Sequence, residues 1–243
     1  MDRIAVISDV HGNLPALKSV LADIEAKGID NIICLGDIIG KGPSMKETID
    51  MCRKSCEIVI KGNWEDYLFT HPENKKYTWF RNEIGPERMQ YLGALPFATD
   101  FYLSGKLVRL FHAHPQNLYK RIFPGNSYKD KLEMFGCPKD PSGIKYAQEA
   151  DIAGYGDIHS TYIENFDNKV LFNVGSVGNP LDIPLASYAI LEGIYGSRFE
   201  NPYSIQFCRV PYDKELAIAM AKAVNMPEAE AYINEITTAQ YSR

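Results

Sequence analysis

The chain has 243 residues and a formal net charge of −5, from 26 Lys and Arg against 31 Asp and Glu. A hydrophobic fraction of 45% with 23% charged residues excludes a disordered or collagen-like chain. The acidic balance excludes attachment to a nucleic acid duplex through a general basic field and leaves room only for a local basic pocket around a small phosphate ligand.

Ile4-Ala5-Val6-Ile7 is a short apolar run, as a strand buried on both faces should be. Leu14, Leu17, Val20, Leu21 and Ile24 then repeat at helical spacing, with Asn13 as N-cap, Pro15 in the first turn and Gly28 as the stop. A second strand is predicted at Ile32-Ile33-Cys34-Leu35 and a third at Ile58-Val59-Ile60. Between them Pro43-Ser44 opens a helix with a capping box of Ser44 and Glu47. This βαβαβ order implies a parallel sheet with right-handed crossovers.

Residues 64–96 read as helical, and 97–112 as two strands around Ser104-Gly105. Residues 115–150, rich in Pro, Gly, Asn and Lys, read as an insert of loops and short helices over one face. Its Tyr119, Phe123 and Tyr128, set among Lys120, Arg121 and Lys129, suit either a lid over an anionic substrate or an ordinary packed insertion. Strand signals return between 152 and 209, as at Thr161-Tyr162-Ile163-Glu164 and Lys169-Val170-Leu171-Phe172. Residues 213–238 read as two helices parted by Asn225-Met226-Pro227, open between packing on the sheet and forming a homodimer interface. Without repeats or a linker-like stretch, 1–243 reads as a single domain. The start, Met1 to Asp9, holds no signal-peptide apolar core, and no run approaches the roughly 18 apolar residues of a membrane span. The cysteines (Cys34, Cys52, Cys56, Cys137, Cys208) are scattered and without CxxC spacing, which predicts reduced thiols in a cytoplasmic protein.

The chemistry lies just past the strand ends. Strand one ends in Asp9-Val10-His11-Gly12-Asn13, strand two in Gly36-Asp37, and strand three in Gly62-Asn63-Trp64-Glu65. Ligands of open α/β sheets bind beyond the carboxyl ends of the strands, so Asp9, His11, Asp37 and Asn63 share one rim. Of five histidines, His112 and His114 come after one later strand-like segment and His159 after another, beside Asp157. Each fragment alone reads as a turn or a cap, but the ordered set predicts a metal site. Mixed imidazole, carboxylate and amide oxygen donors suit Mn, Fe or Zn better than Mg or Ca. Lys41 and Lys61 are expected to be solvated surface lysines near this rim, and His71 to be structural.

Together these residues resemble the calcineurin-like metallophosphoesterases, whose pattern is D-x-H, G-D, G-N-H-[DE], a later histidine, and G-H-x-H. Gly36-Asp37-Ile38-Ile39-Gly40-Lys41-Gly42-Pro43 and Asn173-Val174-Gly175-Ser176-Val177-Gly178-Asn179-Pro180 are similar to segments of the bacterial and archaeal single-domain phosphodiesterase branch. The resemblance covers about residues 1–195. It implies a four-layer α/β/β/α sandwich of two mixed sheets flanked by helices. It also implies two divalent ions: one held by Asp9, His11, Asp37 and His159, the other by Asp37, Asn63, His112 and the residue at 157, with Asp37 bridging. The implied reaction is attack of a metal-bridging hydroxide on phosphorus.

Two positions depart from the pattern. Asp157 stands where G-H-x-H has an imidazole, and the added negative charge favours Mn or Fe over Zn. Trp64 stands where G-N-H-[DE] has a histidine that assists the leaving group, and an indole N–H cannot deliver a proton near neutral pH. The loss biases the substrate toward leaving groups that are already stable anions, as in small nucleotide-like phosphoanhydrides or activated phosphodiesters. His114 is expected to compensate as a catalytic group if the segment from His112 stays extended, with Asn63 and Trp64 also facing substrate, the latter as a wall for a base or else as core. The alternatives are a phosphomonoesterase or protein phosphatase using the same metals, and a non-catalytic metal- or nucleotide-binding module.

Overall fold

The apolar run that opens the chain becomes β1 (Asp2–Ile7), and its alternation decides the architecture. In the computed structural model, which describes residues 1–243, Ile4 and Val6 face a second sheet while Ala5 and Ile7 face helices. A strand buried on both faces sits at the centre of its sheet. Around β1 the remaining strands of the first sheet are β2 (Asn31–Cys34), β3 (Ile58–Val59), β9 (Ala186–Gly193) and β10 (Ser204–Val210), in the order β10-β9-β1-β2-β3. β1, β2 and β3 run parallel, as the βαβαβ reading predicts, and β9 and β10 are antiparallel additions.

The second sheet contains β4 (Ala98–Leu103), β5 (Lys106–Phe111), β6 (Ile152–Tyr155), β7 (Thr161–Phe166) and β8 (Lys169–Val174), in the order β4-β5-β6-β8-β7. Here β5, β6 and β8 are parallel, with antiparallel β4 and β7 at the edges. The two sheets share an apolar layer that includes Val6, Leu35, Leu110, Phe172 and Leu191. Helices α1 (Leu14–Ala26) and α2 (Met45–Ser55) cover the other face of the first sheet, through Leu17, Val20, Ile24 and Ile49. The helical stretch read at 64–96 is three helices: α3 (Asn63–Thr70), α4 (Lys75–Ile84) and α5 (Pro86–Gly93).

The outer face of the second sheet is covered by the 115–150 insert, whose regular structure is one short helix, α6 (Tyr128–Leu132), and a 3₁₀ turn (Glu133–Phe135). Ile122, Met134 and Phe135 of the insert pack against Phe111 and Tyr155. The last two helices, α7 (Lys214–Ala223) and α8 (Ala229–Thr238), break at the predicted place, and Ala217, Ala221, Tyr232 and Ile236 form their own small core. α7 packs on α1, so these helices extend the layer over the first sheet.

One local expectation is corrected. Asn13 caps α1 by accepting from the Ala16 N–H at 3.2 Å, but Ser44 makes no side-chain cap bond and the Ser44–Glu47 box does not form. The Ser44 backbone N–H instead donates to the Gly12 carbonyl at 2.9 Å, so the entry to α2 is fixed by the loop after β1.

Asp182 joins the edges of both sheets. Its carboxylate accepts from the Thr161 N–H of β7 at 2.9 Å and from Arg209 of β10 at 2.8 Å. Burial pushes this carboxyl up, but Arg209 and the N–H groups of Thr161 and Ile183 outweigh it and hold the pKa below its ordinary 3.8. The depressed pKa means a contribution present above 3.8 and lost as pH falls through the lower folded value. Asp182→Asn is expected to cost about 1–3 kcal/mol near neutral pH in urea unfolding. The gap from the unmodified protein should close as the pH is taken below 3.8.

Candidate metal centre

Asp9 and His11 lie just past β1, Asp37 past β2, Asn63 past β3, His112 past β5, and Asp157 and His159 past β6. The parallel strands of both sheets thus deliver seven side chains to one point, each no more than 4% exposed. The backbone bends sharply to do so. Asp9, His11, Asp37, Asp157 and His159 all have left-handed backbones, with φ between 49° and 64°. Such conformations each cost on the order of 1–2 kcal/mol outside glycine and persist where surrounding structure holds them.

Each imidazole is oriented from behind. His11 Nδ1 donates to the Ile39 carbonyl at 2.9 Å, His112 Nδ1 to the Leu35 carbonyl at 2.9 Å, and His159 Nδ1 to the Asn179 carbonyl at 2.6 Å. With Nδ1 bonded to a backbone carbonyl, Nε2 is the ring atom each histidine turns to the centre. His11 Nε2 lies 3.1 Å from His159 Nε2, and His159 Nε2 lies 3.2 Å from Asp9 Oδ1. Asp37 Oδ2 sits between histidines, 3.7 Å from His11 Nε2 and 3.4 Å from His112 Nε2.

The Asp37 Oδ1 atom is held by the Trp64 N–H at 2.8 Å, and Asp9 Oδ2 by the Asp157 N–H at 3.1 Å. Asn63 Nδ2 donates to Asp157 Oδ1 at 2.9 Å, which turns the Asn63 carbonyl oxygen the other way. Asp9 Oδ1, Asn63 Oδ1, His112 Nε2 and Asp157 Oδ2 are buried without any hydrogen-bond partner. Buried polar atoms are normally paired, and this set is composed of metal donors. Two overlapping groups, Asp9–His11–His159 and Asp9–Asp37–His112, have donor atoms within 4.8 Å of one another. The residues present therefore fit divalent ions.

Charge reinforces the fit. Burial alone would raise the Asp9 carboxyl, but His159, His112 and His11 hold it well below the usual range. Burial pushes His11 down, and the adjoining His159 adds to that, whereas His112 is held well above its ordinary value against burial by Asp37 first and then Asp9 and Asp157. Asp157 is raised by burial despite His112 and Arg121, which marks a carboxylate short of positive partners.

Glu65 is the support that motif matching leaves without a role. From α3 its Oε2 accepts from the Asp37 and Gly62 N–H groups, both at 2.8 Å, and its Oε1 from the Ile38 N–H at 2.9 Å. One buried carboxylate thereby fixes the turns after β2 and β3 together. Burial, and then the neighbouring Asp37, push it up to about 7 against these bonds. The glycines of Gly-Asn and Gly-Asp are explained by close approach: a Cβ at Gly62 would lie 2.1 Å from Asp37 Oδ1, and one at Gly156 would lie 2.5 Å from Asp9 Oδ2.

The chain leaves β5 at Phe111, so strand alternation no longer aligns His114 with His112. The His114 Nδ1 accepts from the Gln116 N–H at 3.0 Å, and its Nε2 lies 3.6 Å from Glu133. Of the two readings of Trp64, the structure gives core. The indole is buried among Tyr67, Tyr77 and Phe80, lies under Gly40, where a Cβ would meet it at 2.1 Å, and meets the His11 ring edge-on with centroids 5.7 Å apart. His71 is peripheral, against Thr70, and Lys61 lies by Asp66 and Phe97, away from the centre.

Beside Asp157 and His159 a cavity of about 280 Å³ opens, walled by Lys41, Arg121, Phe123 and Tyr241. Lys41, expected near the rim as a solvated lysine, is instead buried, and Tyr241, from beyond the last helix, carried no signal.

The family comparison agrees with this geometry. Residues 2–193 match the calcineurin-like phosphoesterase superfamily domain, and the chain belongs to that superfamily, whose members depend on metal ions. MJ0912 of Methanocaldococcus jannaschii is 33% identical over 241 residues, covering 93% of this chain and 94% of its own. A metallophosphoesterase from Sphaerobacter thermophilus superposes with a TM-score of 0.75 at 25% identity, over 98% of this chain and 99% of that one. PH1004 of Pyrococcus horikoshii OT3 gives 0.77 at 19% identity over the full length of both chains. The two mixed five-stranded sheets flanked by helices are thus the fold expected of the family. No helix is long and apolar enough to cross a membrane.

Glu65→Gln should separate support from ligation. An amide keeps one acceptor oxygen and turns its NH₂ toward backbone N–H groups that need an acceptor. The expected loss is about 1–3 kcal/mol in unfolding free energy. A variant as stable as the original protein would show that the two turns hold without Glu65.

Proposed function

We propose that the protein is a dinuclear metal-dependent phosphohydrolase acting on small nucleotide-like phosphodiesters or phosphoanhydrides. The observation that carries this reading is the buried set of unpartnered donor atoms, with every facing imidazole held from behind through Nδ1. Asp9, His11, Asp37 and His159 would hold one ion, and Asp37, Asn63, His112 and Asp157 the other. Asp37 Oδ2 is suited to bridging by its place between His11 and His112. The second set offers three oxygen donors and one nitrogen, which favours Mn or Fe, with Zn admitted. Bound divalent ions would supply Lewis acidity toward a phosphoryl oxygen and make water a nucleophile at neutral pH.

The chain's own residues orient these donors, hold the turns and keep bulk water from the buried centre. No histidine is assigned to the leaving group, because His114 Nε2 lies 3.6 Å from Glu133 and position 64 is a packed Trp. General acid catalysis is typically worth ~10²–10⁴-fold, and its absence falls hardest on poor leaving groups. This supports anhydrides and activated diesters over alkyl monoesters. Arg121 and Phe123 of the insert border the cavity, which supports reading the insert as a lid. Free cysteines at all five positions support a cytoplasmic setting.

Metal-stripped protein should release no phosphate, and Mn²⁺ should restore turnover of a dinucleoside tetraphosphate read with a coupled phosphatase. An alkyl phosphomonoester is expected to react at least ~100-fold more slowly. Asp37→Ala should abolish the Mn-dependent rate. Metal uptake without turnover of anhydrides, diesters or monoesters would sink the proposal and leave a binding module.

Across aryl phosphodiesters of rising leaving-group pKa, the rate of the Mn-loaded protein should fall steeply. His114→Ala should leave that slope unaltered, because its Nδ1 is taken by the Gln116 N–H and its Nε2 lies 3.6 Å from Glu133. A flat slope would reveal a proton donor that this reading omits.

A further inference from the structure

The cation at the edge of the cavity is built with more support than an ion pair requires. Lys41 has a left-handed backbone, φ 57°, unusual for a bulky side chain. Its side chain is 6% exposed and borders the cavity beside Asp157 and His159. Nζ donates to Asn179 Oδ1 at 2.6 Å and to Glu235 Oε2 at 3.4 Å. An ammonium has three N–H donors, so one has no protein acceptor.

Glu235 does not need Lys41 for charge balance. Arg243 Nε lies 3.3 Å and 3.2 Å from its two oxygens, and the Ser242 N–H adds a bond at 3.2 Å. Burial lowers the Lys41 pKa to about 8 although Glu235 pulls it upward, so the position is costly for a cation. Position and register are both fixed: the Asn179 that holds Lys41 through Oδ1 also orients His159 through its backbone carbonyl, at 2.6 Å. The Arg121 guanidinium borders the same cavity, half-exposed, with Nε 3.5 Å from Asp157 Oδ1. Guanidinium suits bidentate contact with phosphate, and the ammonium adds a point charge.

We propose that Lys41 and Arg121 form an anion subsite beside the metal centre, which selects substrates carrying a second phosphate next to the one being hydrolysed. Glu235 and Asn179 are the positioning residues for Lys41, and Tyr241 closes the cavity from the segment after α8. The subsite rests on the phosphohydrolase reading and narrows it toward polyphosphates.

The test compares a dinucleoside tetraphosphate with bis(p-nitrophenyl) phosphate, a diester without a second phosphate, on the Mn-loaded protein. Lys41→Met is expected to lower kcat/KM for the tetraphosphate at least about 10-fold more than for the diester, mainly through KM. Glu235→Gln should shift the same ratio in the same direction by less. Glu235 keeps Arg243, but Lys41→Met takes the Lys41 donor from the buried Asn179 Oδ1, so a modest fall in melting temperature is expected, and the ratio between the two substrates, not the absolute rate, separates lost selection from lost folding. Equal losses on both substrates would overturn the subsite while leaving the phosphohydrolase intact. Hydrolysis of neither substrate would remove the phosphohydrolase reading itself. Calorimetric binding then decides the subsite without turnover: inorganic tripolyphosphate should bind more tightly than orthophosphate, and Lys41→Met should erase the difference. An undiminished difference in the variant would overturn it.

Discussion

Buried lone pairs facing one another are the constraint on which the rest of this molecule turns. His11 and His159 bring their Nε2 atoms to 3.1 Å, with carboxylate oxygens of Asp9 and Asp37 within 3.7 Å of His11. Burying two imidazoles and two carboxylates this close together is costly in a medium from which water is excluded, even though the imidazoles favour the ionised form of Asp9. The arrangement persists because each group is held from outside the centre: carbonyls of Ile39, Leu35 and Asn179 behind the imidazoles, and N–H groups of Trp64 and Asp157 behind the carboxylates. Divalent cations relieve the electrostatic conflict that this scaffold sustains.

The two-sheet design makes that possible. Strand ends deliver side chains with little freedom, and the shared apolar layer between the sheets sets how far apart those ends lie. β1, β2 and β3 bring Asp9, His11, Asp37 and Asn63 from one sheet, while β5 and β6 bring His112, Asp157 and His159 from the other. A cluster of donor atoms at the meeting edge of two sheets is therefore as rigid as the core beneath it. The left-handed turns that close it take their stability from that core, in keeping with strain collecting at functional sites.

The outer layers differ in what they contribute. α1 and α2 bury the back of the first sheet and stay away from the chemistry. The insert seals the far face of the second sheet with Ile122, Met134 and Phe135, yet sends Arg121 and Phe123 to the cavity. α8 behaves similarly at the opposite side, where Glu235, buried in an otherwise apolar helix face, reaches Asn179 and Lys41. Peripheral segments thus shape the cavity, while the strand ends hold the donor geometry.

Much of this was legible in the sequence, because strand termini are local. Apolar runs placed β1 and β2 within a residue or two, and the polar residues after them had to lie on one rim whatever the packing. The order Asp9-x-His11, Gly36-Asp37, Gly62-Asn63, then His112 and His159, could therefore be read as one centre before any contact was known. Local logic failed where a side chain's direction depends on distant backbone. The strand period reached Phe111 and stopped short of His114, and Ser44 forms no side-chain cap while its N–H bonds to Gly12; of the two readings left open for Trp64, packing under Gly40 and beside Phe80 decided for core. Sequence alone determined which residues gather at the strand ends, because alternation and chain order carry that information. Tertiary structure alone decided which lysine is buried beside them and which glutamate holds it, because Lys41 and Glu235, 194 residues apart, share no pattern until the two layers close.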